Sequence, residues 1–591
     1  MAFIWKSLDS FRRLFQQAEK SDNCLLVAAI DFGTTYSGWG FSFNHDFQTD
    51  PTHISTMNWS DGKTISQKGP TCILIKPDGK TIDTFGFEAE KRYSELIEKG
   101  EHTKWFYFHR FKMMLWNKPI NKDTMLDDEC GKSLPALTVF ALSIRYMMDA
   151  LFKEAKTRVD VLNEKDIYWV LTVPAIWNDS AKHFMRLAAH EAGIEKEKLT
   201  IALEPEVASI LCRHAKLHNE GIGGISALQL GKKYLVVDAG GGTIDMTVHE
   251  VCFGGALKEL HKATGGPWGG TMVDKAFLDF IAELIGKDAL NGLKDQHKED
   301  YIDLISEFEI TKRNRNLQSD GRVTIRIPQA MVELVNHFKR QPLQNIIQNS
   351  CHAKTIELAK DKLRLDYGLV RIFFKESIDK IVEHVSELLK TPEAKGVDTI
   401  LMVGGFSEST LLQDAMRKGF HTLKIIVPSD AGLAVLKGAV MFGQRRTFIK
   451  ERVSKFTYGI NITTPFDEKK HPVDKRKELD IGVRCADIFE VMVKAGQRLV
   501  VGEKQYTQEM RIGDKKQSHV CFRIYTTEKT DVKFVTDAGC TQIGSVILPV
   551  SGSGLNRSIV VRALFGGTEI MVEIEDKSTG CITRTYIDCL S

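Results

Sequence analysis

Cysteine is present in this 591-residue chain but in no pattern that builds anything: the 11 residues are odd in number, run from Cys24 to Cys589, and include no Cys-x-x-Cys. Such spacing resembles neither a disulfide framework nor a zinc site, and it suits a reducing compartment. Long hydrophobic runs are missing too. No stretch reaches the ~18 apolar residues of a membrane span, and the first residues lack an apolar core ending in a small-residue cleavage site. A cytoplasmic protein, with the nucleus as a second location, is the expectation. An excess of either charge is also absent. Lys plus Arg number 80 against 77 Asp plus Glu, a formal charge of +3, which sets up no chain-wide field for nucleic acid.

The chain does have core material. Hydrophobic residues are 43% of it and charged ones 27%, which rules out disorder as the general state. One hydrophobic core stops growing near ~250–300 residues, so at least two compact units are predicted, and three or four are favoured. Residues 3–15 place Ile4, Leu8, Phe11 and Phe15 on one helical face, with Lys6, Arg12 and Arg13 elsewhere. That pattern fits an amphipathic helix docked on its own domain, and also a weak membrane-surface or partner helix.

Two short apolar runs behave alike. Leu25 to Ile30 leads into Asp31-Phe-Gly-Thr-Thr, and Tyr234 to Val237 leads into Asp238-Ala-Gly-Gly-Gly-Thr. Each reads as a buried strand, a tight glycine turn, and a returning strand (Tyr36 to Phe43; Ile244 to Val248), in the manner of an internal duplication. Ser133–Ala155, Ser180–Ala192 and Phe373–Lys390 read as helices, Ile167–Val173 and Thr399–Val403 as strands, giving α/β patterning in two lobes. From about Val453 the pattern turns to β-branched alternation broken by turns, as in His519–Tyr525 and Glu569–Ile574, which predicts a separate β-sheet domain. No long helical stretch follows it before Ser591.

Glycine-threonine turns let backbone N–H groups approach phosphate oxygens closely. Facing each other across a cleft, the two hairpins would clamp a polyphosphate, with Gly33, Thr34, Thr35 and Tyr36 on one side and Gly240, Gly241, Gly242 and Thr243 on the other. Asp31, Asp238 and Asp245 would then hold a hydrated magnesium ion, which keeps most of its waters. A single Asp-x-Gly-x-Thr is as easily a ligand-free hairpin; two copies behind buried strands argue for a ligand.

These segments resemble the actin/sugar-kinase/70-kDa heat shock protein superfold, whose five segments occur in order over about residues 23 to 446. They are Ile30–Gly38; Val170–Ser180, continuing to Leu203-Glu204-Pro205-Glu206-Val207-Ala208-Ser209; Asp238–Asp245; Val403-Gly404-Gly405-Phe406-Ser407-Glu408-Ser409; and Gly432–Ala439. Tyr36–Phe43, Phe108–Met113, Trp169–Trp177 and Gly265-Gly266-Pro267-Trp268-Gly269 are similar to the atypical 12A/12B branch of the 70-kDa heat shock proteins. The resemblance implies a two-lobed actin-like (ribonuclease H-like) α/β ATPase domain over 23–446, with lobe I about 23–215 and lobe II about 230–430. It places an amphipathic segment at 1–22 and a β-rich domain at 453–591, similar to a peptide-binding domain without its helical lid.

The same resemblance implies the site. Lys112 would orient the attacking water and touch the γ-phosphate; Glu204 would stand beside a magnesium-bound water, Thr243 on the γ-phosphate, and Asp238 in both the catalytic and metal sets. Glu309, Lys312 and Arg313 would meet the ribose and flank the base, while Gly404, Gly405, Phe406 and Asp430 would complete the ATP/ADP pocket. Phosphoryl transfer consists mostly of positioning and charge neutralisation, so residues of these types suffice. Two departures stand out. Glu408 occupies the place of an arginine that stacks on adenine, which a carboxylate cannot do. The acidic-apolar interdomain linker is replaced by the basic Arg445–Arg452, so weak or altered coupling to the β-domain is expected. The implied function is a slow ATPase that couples its nucleotide state to protein clients or signalling partners in stress responses. A nucleotide-gated scaffold with little hydrolysis and, further off, a sugar or metabolite kinase are the alternatives.

Overall fold

The strands Leu26–Asp31 and Lys233–Ala239 are buried on both faces, with only Lys233 partly open. A strand without a polar face belongs in the interior of a sheet covered on both sides, and each of these lies inside its own. The structure, a computed structural model, describes residues 24–60, 62, 65–214, 229–313 and 321–590. The amphipathic stretch 3–15 lies outside the described residues. No described helix is long and apolar enough to cross a membrane.

In lobe I the strand order is Leu199–Leu203, Ile167–Val173, Leu26–Asp31, Tyr36–Phe43, Ser55–Thr56, the first three parallel and the next pair antiparallel, with Gly69–Pro70 also pairing on Tyr36–Phe43. Lobe II repeats the plan: Lys424–Ile426, Val397–Val403 and Lys233–Ala239 run parallel, and Ile244–Val251 and Leu257–Gly266 return antiparallel. Both glycine-threonine turns therefore join antiparallel neighbours, as the duplication predicts. Between the sheets lie the helices Glu204–His214 and Ala434–Gln444, packed on Val27, Ala29 and Val170 of one lobe and on Val236, Leu401 and Val403 of the other.

Some element ends shift for local reasons. Ser133–Pro135 is a short strand paired with Met125–Asp127, and the helix starts only after the proline, at Ala136–Lys156. The helices read at Ser180 and Phe373 begin earlier, as Asp179–Glu191, capped by the Asn178 side chain on the Ala181 N–H, and as Tyr367–Leu389.

Beyond residue 453 two antiparallel sheets face each other. One runs Arg476–Leu479, Gly482–Val493, Thr457–Pro465, His519–Thr527, Thr541–Pro549; the other runs Tyr506–Arg511, Ser558–Leu564, Met571–Asp576, Cys581–Tyr586. Inward-facing Ile460, Phe522, Ile524, Val561, Val572 and Ile574 form their common core. The mixed α/β chain with a β-rich C-terminal part is the fold class read from the sequence.

The basic linker is built into a sheet. Ile449–Val453 is a strand, parallel to Leu257–Gly266 of lobe II and antiparallel to Arg498–Val500 of the β-rich part, so one sheet runs through the junction. Its cation is not left in water. Arg452 is buried, and its guanidinium donates to both carboxylate oxygens of Glu206 (2.7 and 2.6 Å) and to the Gly566 carbonyl (2.8 Å). The Val453 N–H donates to Glu259 at 2.9 Å. Lobe I is engaged too: Tyr458 donates to Asp179 (2.9 Å), Lys455 to the Ile176 carbonyl (3.1 Å), and Arg186 pairs with Glu569.

Removing one partner of a buried ion pair strands the other, at a cost of about 3–5 kcal/mol. Arg452→Ala should therefore lower stability by that order and separate the unfolding of the β-rich part from that of the lobes in calorimetry; one unchanged transition would show that the pair does not hold the junction. Burial, aided by Glu206, pushes the Glu259 carboxyl up to about 7 against the Val453 N–H, Arg452 and Lys182. The folded protein thus holds this proton more tightly than the unfolded chain, and the stability it contributes is full below the ordinary value of 4.5 and lost as pH rises to about 7. Glu259→Gln should flatten the fall in melting temperature across that window.

Candidate functional site

Aromatic packing fixes the side chains that line the interlobe cleft. Phe32, next to Asp31, and Phe111, next to Lys112, have ring centroids 5.8 Å apart and both pack on Phe140. In lobe II, Phe277 stacks on Phe308 at 3.9 Å, which sets Glu309 beside it and Asp274 one helical turn before Phe277. Buried rings thus hold polar groups at the cleft in positions those groups would not choose unaided.

The two glycine-threonine turns touch. A Cβ at Gly242 would come within 2.5 Å of the Thr34 hydroxyl, and one at Gly241 would strike Thr35. Only residues without a Cβ permit this approach of one lobe's backbone to the other's side chains. The second turn is braced from behind: the N–H groups of Gly269, Gly270 and Thr271 donate to the carbonyls of Gly242, Gly240 and Gly241.

Beneath and beside the turns lies a cavity of about 500 Å³. Its wall includes Asp31, Gly33, Thr34, Thr35, Tyr36, Lys112, Glu204, Asp238, Gly240, Gly241, Gly242 and Thr243 from the phosphate and catalytic sets. Glu309, Lys312, Arg313, Gly404, Gly405 and Phe406 line its other end. Lys112 is buried, its ammonium 2.8 Å from Glu204 and over the Trp177 ring at 5.1 Å. Gly404 takes φ +85, and a Cβ there would collide with the Asp238 carboxylate and the Ala239 carbonyl, so the segment Val403–Ser409 can follow the end of its strand only with glycine at this position.

Two expected residues stand elsewhere. Asp245 does not line the cavity: its carboxylate accepts the Ile176 N–H at 2.8 Å and the Thr243 hydroxyl. In this geometry it positions Thr243 and ties lobe II to lobe I. Asp430 is likewise off the wall, paired with Lys437 at 2.7 Å.

Other residues enter the site without a sequence signal. Lys68 reaches Asp31 at 2.6 Å, and the Thr172 hydroxyl donates to the other Asp31 oxygen at 3.1 Å. Nothing local marks Lys68; it arrives because Gly69–Pro70 pairs with Tyr36 and Ser37. Arg110, left-handed at φ 51, crosses from lobe I to Asp274 (2.6 Å) and Glu309 (3.5 Å), which both also pair with Lys312 at 2.6 Å. Arg313 lies over the Tyr36 ring at 4.3 Å. The helix assigned to the ribose thus takes part in an ion network between the lobes. Glu408 accepts the Gly432 N–H at 3.1 Å, joining the segment Val403–Ser409 to the segment Gly432–Ala439.

Charge at the cavity floor is unbalanced. Asp31, Glu204 and Asp238 of the cavity wall, with Asp245 off that wall, act on one another, against the ammonium groups of Lys68 and Lys112. Burial and then Glu204, Asp245 and Asp31 drive the Asp238 carboxyl well above its usual range; burial also raises Glu204 despite Lys112. Buried carboxyls crowded this way resist carrying charge together, and a hydrated divalent cation beside them would favour their ionised forms.

Paired glycine hairpins at the ends of duplicated sheets, closing over a lysine- and carboxylate-lined cleft, define the two-lobed nucleotide-binding proteins of the actin-like fold. A family model described as Hsp70 protein matches residues 121–365. Heat shock 70 kDa protein 12A of Mus musculus is 34% identical over 629 residues, 96% of this chain and 92% of its own. Heat shock 70 kDa protein 12B of Homo sapiens is 34% identical over 632 residues, 96% of this chain and 91% of its own. The chain belongs to the 70-kDa heat shock protein family, and membership implies nucleotide binding.

Overpacking a tight contact costs typically about 1–3 kcal/mol, and about 1.4 kcal/mol is tenfold in affinity. Gly242→Ala, which wedges the hairpins apart, should weaken ATP binding by about 10-fold or more in a calorimetric titration; unchanged affinity would show that the hairpins do not act on one ligand together.

Proposed function

We propose that the chain binds Mg-ATP between its lobes, hydrolyses it slowly, and passes its nucleotide state to a protein partner or client held by the β-rich domain. The observation that carries this reading is the contact of Thr34 and Thr35 with Gly241 and Gly242, lining one cavity with the Lys112–Glu204 pair. Backbone N–H groups of the two turns bind and orient the phosphates, and Lys112, fixed by Glu204 and Trp177, positions the attacking water. Asp31 and Asp238 would hold magnesium through its waters, with Glu204 close by; when bound, the ion supplies charge neutralisation on the polyphosphate.

Coupling to the β-rich domain has three supports. The first turn of the helix Glu204–His214 carries Glu204 toward the cavity and Glu206 toward Arg452. The Ile176 N–H meets Asp245 while the Ile176 carbonyl meets Lys455. Trp177, under Lys112, belongs to the same segment. A shift of the lobes around nucleotide would move both junction contacts, Glu206 with Arg452 and Ile176 with Lys455.

A second reading, a nucleotide-gated scaffold with little hydrolysis, is favoured by Lys68, whose ammonium occupies an Asp31 oxygen that a hydrated cation would otherwise use. Single-turnover phosphate release separates the two readings. Lys112→Ala should slow it at least ~10²-fold, about 2.7 kcal/mol, with ATP affinity nearly unchanged. Equal rates for mutant and parent would remove Lys112 from the mechanism, and no release above a Thr243→Val control would leave the scaffold.

A further inference from the structure

Away from the cleft, lobe II brings together three side chains of differing chemistry. Glu283 sits in the last turn of the helix Gly270–Ile285, and Cys351 and His352 lie in the turn after the helix Leu343–Asn349. One carboxylate oxygen, the thiol sulfur and one imidazole nitrogen all lie within 4.8 Å of one another. We propose that Glu283, Cys351 and His352 form a zinc site, with a water in the fourth position.

The donor set argues for this metal. A thiolate with an imidazole and one carboxylate is a borderline-soft set that suits Zn²⁺ and is poorly matched to Mg²⁺ or Ca²⁺, which take oxygen ligands. Tetrahedral bonds of about 2.0–2.3 Å place ligand atoms about 3.3–3.5 Å apart, so closing on the ion needs only side-chain rotation of the order of an ångström. Glu283 and Cys351 are exposed and have room to make it. Among the described residues, no hydrogen bond or ion pair occupies any of the three donors.

The backbone beneath them is fixed. Phe280, one turn before Glu283 on the same helical face, meets the His352 ring edge-on at 5.4 Å, and Phe280, Ile281, Leu343 and Ile347 share the lobe II core. The turn is closed by its own bonds: the His352 N–H donates to the Ser350 hydroxyl at 3.1 Å, and the Thr355 and Ile356 N–H groups donate to the His352 carbonyl at 2.9 and 3.0 Å. Two anchored elements thus present donors that already converge, which is the costly part of building a metal site. On binding, the Cys351 thiol gives its proton to solvent as the sulfur–zinc bond forms. The adjacent Cys351-His352 pair has no metal-type spacing in sequence; the fold supplies the third ligand.

The test uses the full chain, stripped with a chelator and then titrated with Co²⁺ and with Zn²⁺ against a competing indicator in excess magnesium. One equivalent of cobalt should give a thiolate-to-metal charge-transfer band that Cys351→Ser abolishes. His352→Gln and Glu283→Gln should each weaken zinc at least about 10-fold, the loss that outer-shell partners alone produce in known sites. Replacing the other exposed thiols, Cys521 and Cys581, with serine should leave band and affinity unchanged. In the parent chain zinc should protect Cys351 from iodoacetamide. A band that survives Cys351→Ser, or equal labelling of Cys351 with and without zinc, would overturn the proposal. The nucleotide site plays no part in these readouts.

Discussion

The structure depends on one close approach: side chains of the first hairpin, Thr34 and Thr35, against the bare backbone of the second, Gly241 and Gly242. Two lobes with separate hydrophobic cores have no reason to present their turns to a common point unless something between the sheets sets their spacing. The helices Glu204–His214 and Ala434–Gln444 do so, because their apolar faces pack on both sheets at once. With the spacing fixed, the cavity, its facing lysines and its crowded carboxylates follow from where each strand ends.

Strands were legible in the sequence wherever an apolar run ended in a turn residue. Tyr36–Phe43 and Ile167–Val173 keep the bounds read from the pattern, since the features that define them are local. The cavity wall was legible for the same reason, as most of its residues lie in or beside the turns that close those strands. Lys68 was not legible, because pairing of Gly69–Pro70 with a strand far upstream delivers it. Nor was the Arg110–Asp274 bridge between lobes, although Arg110 stood inside a segment already singled out. Asp245 was read as a cation ligand together with Asp31 and Asp238; what the sequence did not show is that its carboxylate also accepts the Ile176 N–H from the other lobe.

Composition misled most at the junction. Arg445–Arg452 reads as basic, yet the strand Ile449–Val453 alternates in burial, and Arg452 is buried because Glu206 and the Gly566 carbonyl satisfy it. The residue that makes a buried arginine tolerable lies in another lobe, so no inspection of the linker alone reveals it. The result is a β-rich part held by a continuous sheet, a buried ion pair with the lobe I helix Glu204–His214, and further polar contacts with lobe I.

Sharing a strand has a practical side. In the intact chain Leu257–Gly266 is covered along part of its length by Ile449–Val453, and that strand in turn by Arg498–Val500. A fragment cut to the two lobes alone, ending before Ile449, would leave that row of N–H and C=O groups bare and Glu206 without its counter-ion. Bare sheet margins recruit strands from other molecules. Isolated lobes would thus be prone to self-association, whereas the chain with its β-rich part covers that margin.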